Sequence, residues 1–131
     1  MSELFAPWVQ ELGLRLESID PGHVSFMLPV TPRICREGGT VSGQAMMAAA
    51  DTAMVIAVAS QLGEFRPMTT VTMTSNFLRP VAFDAQAKGA QMARVIARVV
   101  KPGRQWMFGE MQIENHEAKM AAQFVATYAL L

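Results

Sequence analysis

One ionisable side chain, Asp51, lies in the middle of a run of small and apolar residues, GGTVSGQAMMAAADTAMVIAVAS, which extends from Gly38 to Ser60. An ionised carboxylate is costly to bury, so it is normally neutralised, paired or turned towards a polar cavity. In a pocket, partial desolvation tunes the basicity of a carboxylate, which can then act as a general base. Asp51 is therefore the first candidate catalytic residue of the chain.

The residues alone leave three interpretations of Asp51. It can cap a second helix that begins after a break near Ala50, although no Gly or Pro between Ala45 and Leu62 forces such a break. It can be a structural carboxylate that is hydrogen-bonded at a dimer interface. It can also be a catalytic carboxylate in a pocket.

A second candidate, Gly43, lies at the predicted first turn of the helix that carries Asp51. Backbone N–H groups in the first turn of a helix lack intrahelical partners, and one of them can bind the oxygen of a polarised carbonyl. The helical rise from Gly43 to Asp51 is about 12 Å, so one chain cannot bring both groups to one small carbonyl centre. If both act on one substrate, the carboxylate comes from the facing subunit. This predicts active sites at a dimer interface.

The element that positions both residues is a long predicted helix. Ser42 can cap its start, no Gly or Pro interrupts the chain from Ala45 to Leu62, and Gly63 provides a stop. The helix is apolar nearly all round, so we expect it to be covered on most sides. Its alanines and polar residues favour a buried helix of a soluble protein over a membrane span. If one side remains exposed, a dimer is favoured.

The rest of the chain predicts a single α+β domain that spans residues 1–131. A short amphipathic helix is expected from Glu3 to Leu12, and apolar and polar residues then alternate in six segments, two before the long helix and four after it. Six mostly antiparallel strands cannot bury a long apolar helix by stacking flat against it. A strongly curved sheet can wrap around the helix instead.

Two details of this pattern are specific predictions. The first two strands are expected near residues 12–16 and 24–30, with a loop at 33–41. In the first strand after the long helix, Val71 and Met73 are expected on one face and Thr70 and Asn76 on the other.

The composition of the chain excludes several classes of partner and of binding site. The eleven basic and eleven acidic side chains cancel, so there is no overall field to recruit nucleic acid or an anionic membrane. Cys35 is the only cysteine, which excludes an internal disulfide, and the N-terminal residues lack the features of a signal peptide. His23 and His116 form no metal-binding motif. We therefore expect a cytoplasmic protein that uses neither a metal nor a redox cofactor.

Three segments of the chain resemble the hotdog-fold acyl-CoA thioesterases of the phenylacetate-pathway (PaaI-like) type: GTVSGQAMMAAADTA at 39–53, NFLRP at 76–80 and VATY at 125–128. The usual family pattern is an Asn, two residues, a Gly, two residues, His-Gly-Gly and, seven residues later, an Asp within Ala-Asp-Thr-Ala. The matching residues are Gly39, Thr40, Val41, Gly43, Asp51, Thr52 and Ala53. The family's Asn, His and second Gly are replaced by Arg36, Ser42 and Gln44.

The resemblance implies a hotdog-fold acyl-CoA thioesterase that forms a homodimer or a dimer of dimers, with coenzyme A as part of the substrate. It implies that Asp51 is the general base or nucleophile and that the N–H of Gly43 is the oxyanion donor. The further predicted substrate contacts are Ser42, Gln44, Asn76 and Arg79. A serine can hydrogen-bond but cannot titrate near neutral pH. The missing His counts against the dehydratases that share this fold.

Two functions from other classes remain open. One is a non-catalytic dimer that binds acyl-CoA or another acyl ligand, in which Asp51 only organises the interface. The other is a purely structural dimer. The chain has no GxSxG motif, which removes the usual signal of a serine hydrolase, and no glycine-rich phosphate loop.

Overall fold

The computed structural model describes residues 4–131, and the first element is a short helix. This helix, α1, extends only over Pro7–Gln10, whereas the sequence predicted a helix from Glu3 to Leu12, of which Glu3 lies outside the described residues. Ala6 precedes a proline and is therefore extended, with φ −58° and ψ 150°. Gly13 adopts a positive φ of 72° soon after the end of the helix. The predicted length of this helix was wrong.

Two antiparallel strands precede the long helix, as predicted, but the first begins and ends later than the predicted residues 12–16. The first, β1, comprises Arg15–Asp20 and the second, β2, comprises His23–Pro29. Pro21 and Gly22 form the turn, and the φ of Gly22 is +74°, a conformation that glycine adopts without strain.

The segment between β2 and the long helix is more ordered than the predicted loop. A 3₁₀-helix covers Pro32–Ile34, and two short strands follow, β3 at Cys35–Arg36 and β4 at Thr40–Val41. These strands pair antiparallel with each other. Backbone hydrogen bonds also connect this segment to residues 81–83, from Val41 N–H to Val81 O at 2.9 Å and from Phe83 N–H to Gly39 O at 2.8 Å. The approach to the long helix is therefore fixed by main-chain contacts.

The long helix, α2, comprises Gly43–Leu62 and begins and ends where the sequence predicted. The hydroxyl of Ser42 accepts a hydrogen bond from the N–H of Ala45 at 3.1 Å, and Gly63 ends the helix in the left-handed conformation with φ 79°. The fold covers one side of α2, where Ala49, Ala53 and Ala57 are inaccessible to solvent. The helix α2 is long and apolar enough to cross a membrane, but half of its apolar stretch is buried in this domain. It is the core helix of the fold.

One side of α2 is covered less than the sequence predicted. The less buried residues recur every three or four positions and form one stripe, here called the uncovered stripe: Gln44, Met47, Ala48, Asp51, Val55 and Ala59. A helix with one apolar stripe left open is typical of a surface that another element covers. Asp51 lies in the middle of this stripe.

Four further strands follow α2 and complete a six-stranded antiparallel sheet. They are β5 at Met68–Phe77, β6 at Met92–Lys101, β7 at Trp106–Glu114 and β8 at Met120–Leu130. The strand order is β1-β2-β6-β7-β8-β5, so β1 and β5 are the two edges. The helix contacts both edge strands as well as β2, β6 and β7, as expected of a sheet that wraps around it.

A β-bulge in β5 overturns one prediction about this strand. Thr70 and Thr72 pair with two consecutive residues of β8. Val71, which lies between them, is therefore an extra residue without a partner on β8. Thr70 therefore lies opposite Tyr128 on the inner side of the sheet, facing α2. Val71, which the alternation placed with the apolar face, is 47% exposed.

The core fills the space between α2 and the inner face of the sheet. Its largest fully buried side chains include Phe26 from β2 and both Phe124 and Tyr128 from β8. At Gly109 in β7 the helix approaches so closely that an added Cβ would overlap the thioether of Met54 and lie 3.2 Å from the carbonyl oxygen of Arg98. Gly109 therefore leaves the space that the Met54 side chain occupies between β7 and α2.

We expect Gly109→Ala to lower the free energy of unfolding by about 1–3 kcal/mol, because the methyl group overpacks the core beside Met54. Chemical denaturation monitored by circular dichroism measures this change. Met54→Ala provides the matched control, because it removes the side chain that the methyl group meets. The double variant should then be more stable than the sum of the two single effects implies. Simple additivity would contradict this account of Gly109.

Candidate active site

Asp51 is held at the middle of α2 by two hydroxyl groups of the sheet. The phenol of Tyr128 donates to Oδ1 of Asp51 at 2.6 Å, and the hydroxyl of Thr70 donates to the same oxygen at 2.8 Å. Because α2 is continuous around Asp51, the interpretation of this residue as the cap of a second helix is wrong. Its carboxylate is half-buried and hydrogen-bonded, which agrees with both remaining interpretations.

The second carboxylate oxygen, Oδ2, has no hydrogen-bond partner among residues 4–131. No Lys, Arg or His of the described chain forms an ion pair with Asp51. A carboxylate that is held by neutral donors at one oxygen keeps its other oxygen available for a proton or an electrophile. Asp51 therefore has a geometry that suits a base or a nucleophile.

Tyr128 is completely buried, and its environment keeps its phenol protonated. Burial, the negative charge of Asp51 and the hydrogen bond to that carboxylate all raise the pKa of Tyr128 above its ordinary value. A protonated phenol is an obligatory donor to the ionised carboxylate beside it. Tyr128 thus fixes Oδ1 of Asp51 over the whole physiological pH range.

Gly43 is the first residue of α2, and it lines a cleft of about 500 Å³. A Cβ at this position would lie 3.3 Å from Cζ of Phe77, so the ring leaves little room for a side chain. An N–H in the first turn has no acceptor within the helix. The N–H of Gly43 has no hydrogen-bond acceptor among residues 4–131, and Gly43 lies close to the last residue of β5.

The four predicted substrate contacts do not lie together. Arg79 lines the same cleft as Gly43, and its Nη1 donates to the carbonyl of Met120 at 2.6 Å. Ser42 and Gln44 line a second cleft of about 720 Å³. Asn76 lies on the sheet face that points away from α2, where its Nδ2 donates to Gln123 at 3.2 Å. The structure thus separates Asn76 from both clefts.

Within one chain, the two main candidates also remain apart. Asp51 lines neither the Gly43 cleft nor the cleft beside Ser42. The helical rise between Gly43 and Asp51 keeps them about 12 Å apart. Both residues nevertheless lie beside β5. Gly43 packs against Phe77 at the end of this strand, and Asp51 accepts a hydrogen bond from Thr70 near the start of the strand.

Sequence reasoning did not identify Thr70, Tyr128 or Arg36 as parts of a site. Tyr128 belongs to the segment that carried the family resemblance and is the only tyrosine of the chain, which is the one available signal. Thr70 was assigned to the wrong face because the bulge at Val71 is not visible in the alternation. Arg36 lines the cleft of Gly43. Within residues 4–131, no group of three or more His, Cys, Asp or Glu side chains is arranged to hold a metal ion.

Comparison with known proteins identifies both a family and a fold. A family model described as the thioesterase superfamily matches residues 38–122, well over half of the chain. The PaaI protein from the phenylacetic acid degradation operon of E. coli is similar over 99% of this chain and 88% of its own, with 23% identity and a TM-score of 0.83. No curated protein sequence matches the chain significantly.

Two further solved structures show the same architecture. A conserved protein from Pseudomonas aeruginosa is similar over 99% of this chain and 98% of its own, with 25% identity and a TM-score of 0.84. A thioesterase from Haemophilus influenzae is similar over 99% of this chain and 86% of its own, with 20% identity and a TM-score of 0.84. The match over nearly the whole chain confirms the predicted hotdog fold.

We expect Tyr128 to stay protonated in the folded protein at pH values where a free tyrosine ionises, about 10. Since the chain has one tyrosine, its near-ultraviolet tyrosinate absorbance follows this residue alone. The unfolded chain, titrated in denaturant, should ionise near the ordinary value. The pKa of Tyr128 is higher in the folded protein than in the unfolded chain. The contribution of the protonated phenol to folding stability is therefore complete below pH about 10 and is lost as the pH rises further.

Asp51→Asn is the matched control for this titration. Removing the negative charge should lower the pKa of Tyr128 relative to the natural protein, although burial still keeps it above the ordinary value. A folded protein that forms tyrosinate near pH 10 would contradict the arrangement of Tyr128 and Asp51.

Proposed function

The chain belongs to the thioesterase superfamily, and from this premise we propose that it hydrolyses an acyl-CoA thioester to a free carboxylic acid and coenzyme A. Superfamily membership supports thioester hydrolysis as the general activity. The assignment of coenzyme A as the thiol rests on the resemblance of the segments around Gly43 and Asp51 to PaaI-like thioesterases. We also propose that the protein works as a homo-oligomer in the cytoplasm.

In the proposed reaction, Gly43 and Asp51 act on the same thioester. The N–H of Gly43 donates to the carbonyl oxygen and stabilises the negative charge that develops there. Oδ2 of Asp51 takes a proton from water while the water oxygen bonds to the carbonyl carbon. The carbon–sulfur bond then breaks, and the proton held by Asp51 passes to the leaving sulfur. Direct attack by Asp51 followed by hydrolysis of the resulting anhydride gives the same products. Neither route needs a metal or a redox cofactor.

One observation carries this proposal: β5 is an unpaired edge strand that has Thr70 and Asp51 at one end and Phe77 and Gly43 at the other. If two copies pair antiparallel through β5 over its full length, Met68 lies opposite Phe77 of the partner subunit. The Asp51 end of one copy then lies beside the Gly43 end of the other. Pairing through β5 would thus bring together two groups that a single chain holds apart.

The two edges of the sheet differ in a way that favours pairing through β5. The strand β1 carries three charged residues, Arg15, Glu17 and Asp20, and charges on an edge oppose pairing with another chain. The strand β5 carries none in its ten residues. The uncovered stripe of α2, which includes Met47 with 38% exposure, would be covered in the same association. Both features support a two-fold dimer with two active sites at its interface.

Replacing Asp51 with Asn tests the proposed catalytic role. We expect purified protein to hydrolyse at least one member of a panel of short-chain, medium-chain and aryl acyl-CoA thioesters. Asp51→Asn should reduce kcat by at least about 10²-fold, because an amide cannot accept the proton from water. Release of free thiol, followed with a thiol reagent, measures the rate.

Asp20→Asn is the matched control, since Asp20 lies on β1 at the opposite edge of the sheet. It should leave the rate within a factor of about two. Equal rates for the natural protein and Asp51→Asn would remove the catalytic role of Asp51. Binding of acyl-CoA without turnover by the natural protein would support the non-catalytic binding dimer instead.

Gly43→Pro tests the backbone donor, because proline lacks the N–H but is tolerated at the first position of a helix. Ser42 already has φ −66° and ψ 149°, which a following proline accepts. We expect kcat to fall by about 10²–10³-fold. Gly43→Ala keeps the N–H and adds only a Cβ 3.3 Å from Cζ of Phe77, so it should lose much less activity.

Mixing the two inactive variants tests whether the groups come from different subunits. Co-refolding equal amounts of Asp51→Asn and Gly43→Pro should restore about a quarter of the natural rate, because half of the dimers are mixed and one of their two sites is intact. A site made within one chain would give no restoration.

A further inference from the structure

Two arginines, Arg36 and Arg79, line the cleft of Gly43. No acidic residue occurs among the described residues of its lining, and the remaining ones are mostly apolar, including Val41, Met46 and Phe77. A cleft that combines guanidinium groups with apolar walls and lacks a carboxylate is suited to a ligand that carries both an anionic and an apolar part.

The charges of these two arginines are not neutralised by the protein. Elsewhere in the described chain, Arg33, Arg94 and Arg98 each pair with a glutamate. Neither Arg36 nor Arg79 forms an ion pair within residues 4–131. Their cleft therefore keeps two uncompensated positive charges.

Main-chain contacts hold the two arginines on the same side of the fold. Arg36 lies opposite Thr40 in the β3–β4 pair, and Thr40 also forms a bridge with Ala82. Ala82 follows Arg79 closely in the chain, and Nη1 of Arg79 donates to a backbone carbonyl at 2.6 Å. The backbone N–H of Arg79 also donates to Ala121 O at 3.1 Å, so hydrogen bonds fix the backbone at both arginines.

We infer that the Gly43 cleft binds a carboxylate on the acyl group of the thioester, and that Arg36 is a specificity-determining residue for such acyl groups. This inference rests on the proposed thioesterase function. An arginine matches a carboxylate with two parallel N–H donors, which a neutral side chain at this position cannot provide. Arg36 stands where the resembled family has Asn, so the preference would distinguish this chain from proteins with the usual pattern.

The size of the cleft distinguishes between two anionic groups that the substrate can carry, a carboxylate on the acyl group and the phosphates of coenzyme A. A cleft of about 500 Å³ is roughly 8 Å across, whereas an extended pantetheine arm holds the nearest phosphate roughly 15 Å from the thioester sulfur. A thioester whose carbonyl is at Gly43 therefore keeps its phosphates out of this cleft. Because the pantetheine arm is neutral, an anion bound in the cleft would have to belong to the acyl group.

Matched substrate pairs test the inference. Each pair has the same acyl length with and without a terminal carboxylate, such as succinyl-CoA with butanoyl-CoA and adipoyl-CoA with hexanoyl-CoA. We expect the natural protein to show a higher kcat/KM for the carboxylated member of at least one pair. Arg36→Gln should lower that kcat/KM at least about tenfold and affect the uncharged member much less.

Two further variants control for charge and for general effects. Arg36→Lys keeps the charge but loses the bidentate geometry, so its kcat/KM for the carboxylated thioester should lie between those of the natural protein and Arg36→Gln. Arg15→Gln removes an exposed arginine on β1 that lines neither cleft, and the ratio within each pair should not change.

Thioesters of N-acetylcysteamine, which lack the phosphates, identify the source of the anion. If the preference and its dependence on Arg36 persist with these compounds, the carboxylate is the group recognised. If Arg36→Gln instead affects both members of every CoA pair equally and neither member of the N-acetylcysteamine pairs, Arg36 contacts phosphate and the inference is overturned. Turnover of all thioesters without any effect of Arg36 would overturn it and leave the thioesterase function standing.

Binding measurements keep the inference testable if no thioester is hydrolysed, an outcome that would remove the proposed function. Isothermal titration calorimetry with non-hydrolysable amide analogues of the same pairs compares the natural protein with Arg36→Gln. Tighter binding of the carboxylated analogue that is lost in Arg36→Gln would support the anion site. Equal binding of both analogues would overturn it.

Discussion

The hydrogen bond from Tyr128 to Asp51 joins the middle of α2 to the inner face of the sheet, and the proposed site depends on it. The buried phenol stays protonated because burial and the neighbouring carboxylate both disfavour its ionisation. It donates at 2.6 Å and, together with Thr70, occupies one oxygen of the carboxylate. Asp51 is thereby fixed in orientation by two neutral donors, without a cation beside it.

The position of this carboxylate follows from the small residues of the helix. Ala49, Ala53 and Ala57 are inaccessible to solvent and allow the backbone of α2 to lie close to the sheet. Gly109 permits the same close approach from β7. Because the covered side of the helix is used for this packing, Asp51 is left on the uncovered stripe, beside the unpaired edge of β5. The constraint that builds the core thus also decides where the acid group is exposed.

Local signals in the sequence were sufficient for α2 and for the succession of the six sheet strands along the chain, since caps and periodicity are properties of neighbouring residues. They failed where the outcome depends on contacts distant in sequence. The bulge at Val71 reverses the side on which Thr70 lies, and only its pairing with β8 shows this. Asn76 was placed on the polar face of β5, but the cleft of Gly43 lies on the other face. The positions of Gly43 and Asp51 on α2 could be predicted because their spacing belongs to one helix.

The same helix keeps the two groups proposed for catalysis apart within a single chain. A helix rises by about 1.5 Å per residue, so Gly43 and Asp51 cannot converge however the sheet curves. In a two-fold association that unites both pairs of groups, the start of each α2 meets the middle of the other and the two helices run antiparallel. The proposed antiparallel pairing of two β5 edges would have this polarity and would cover the uncovered stripe of both helices at the same time. The apolar surface that favours association and the two groups proposed for catalysis therefore lie on one face of the molecule, so that forming the dimer and completing the site would be a single event.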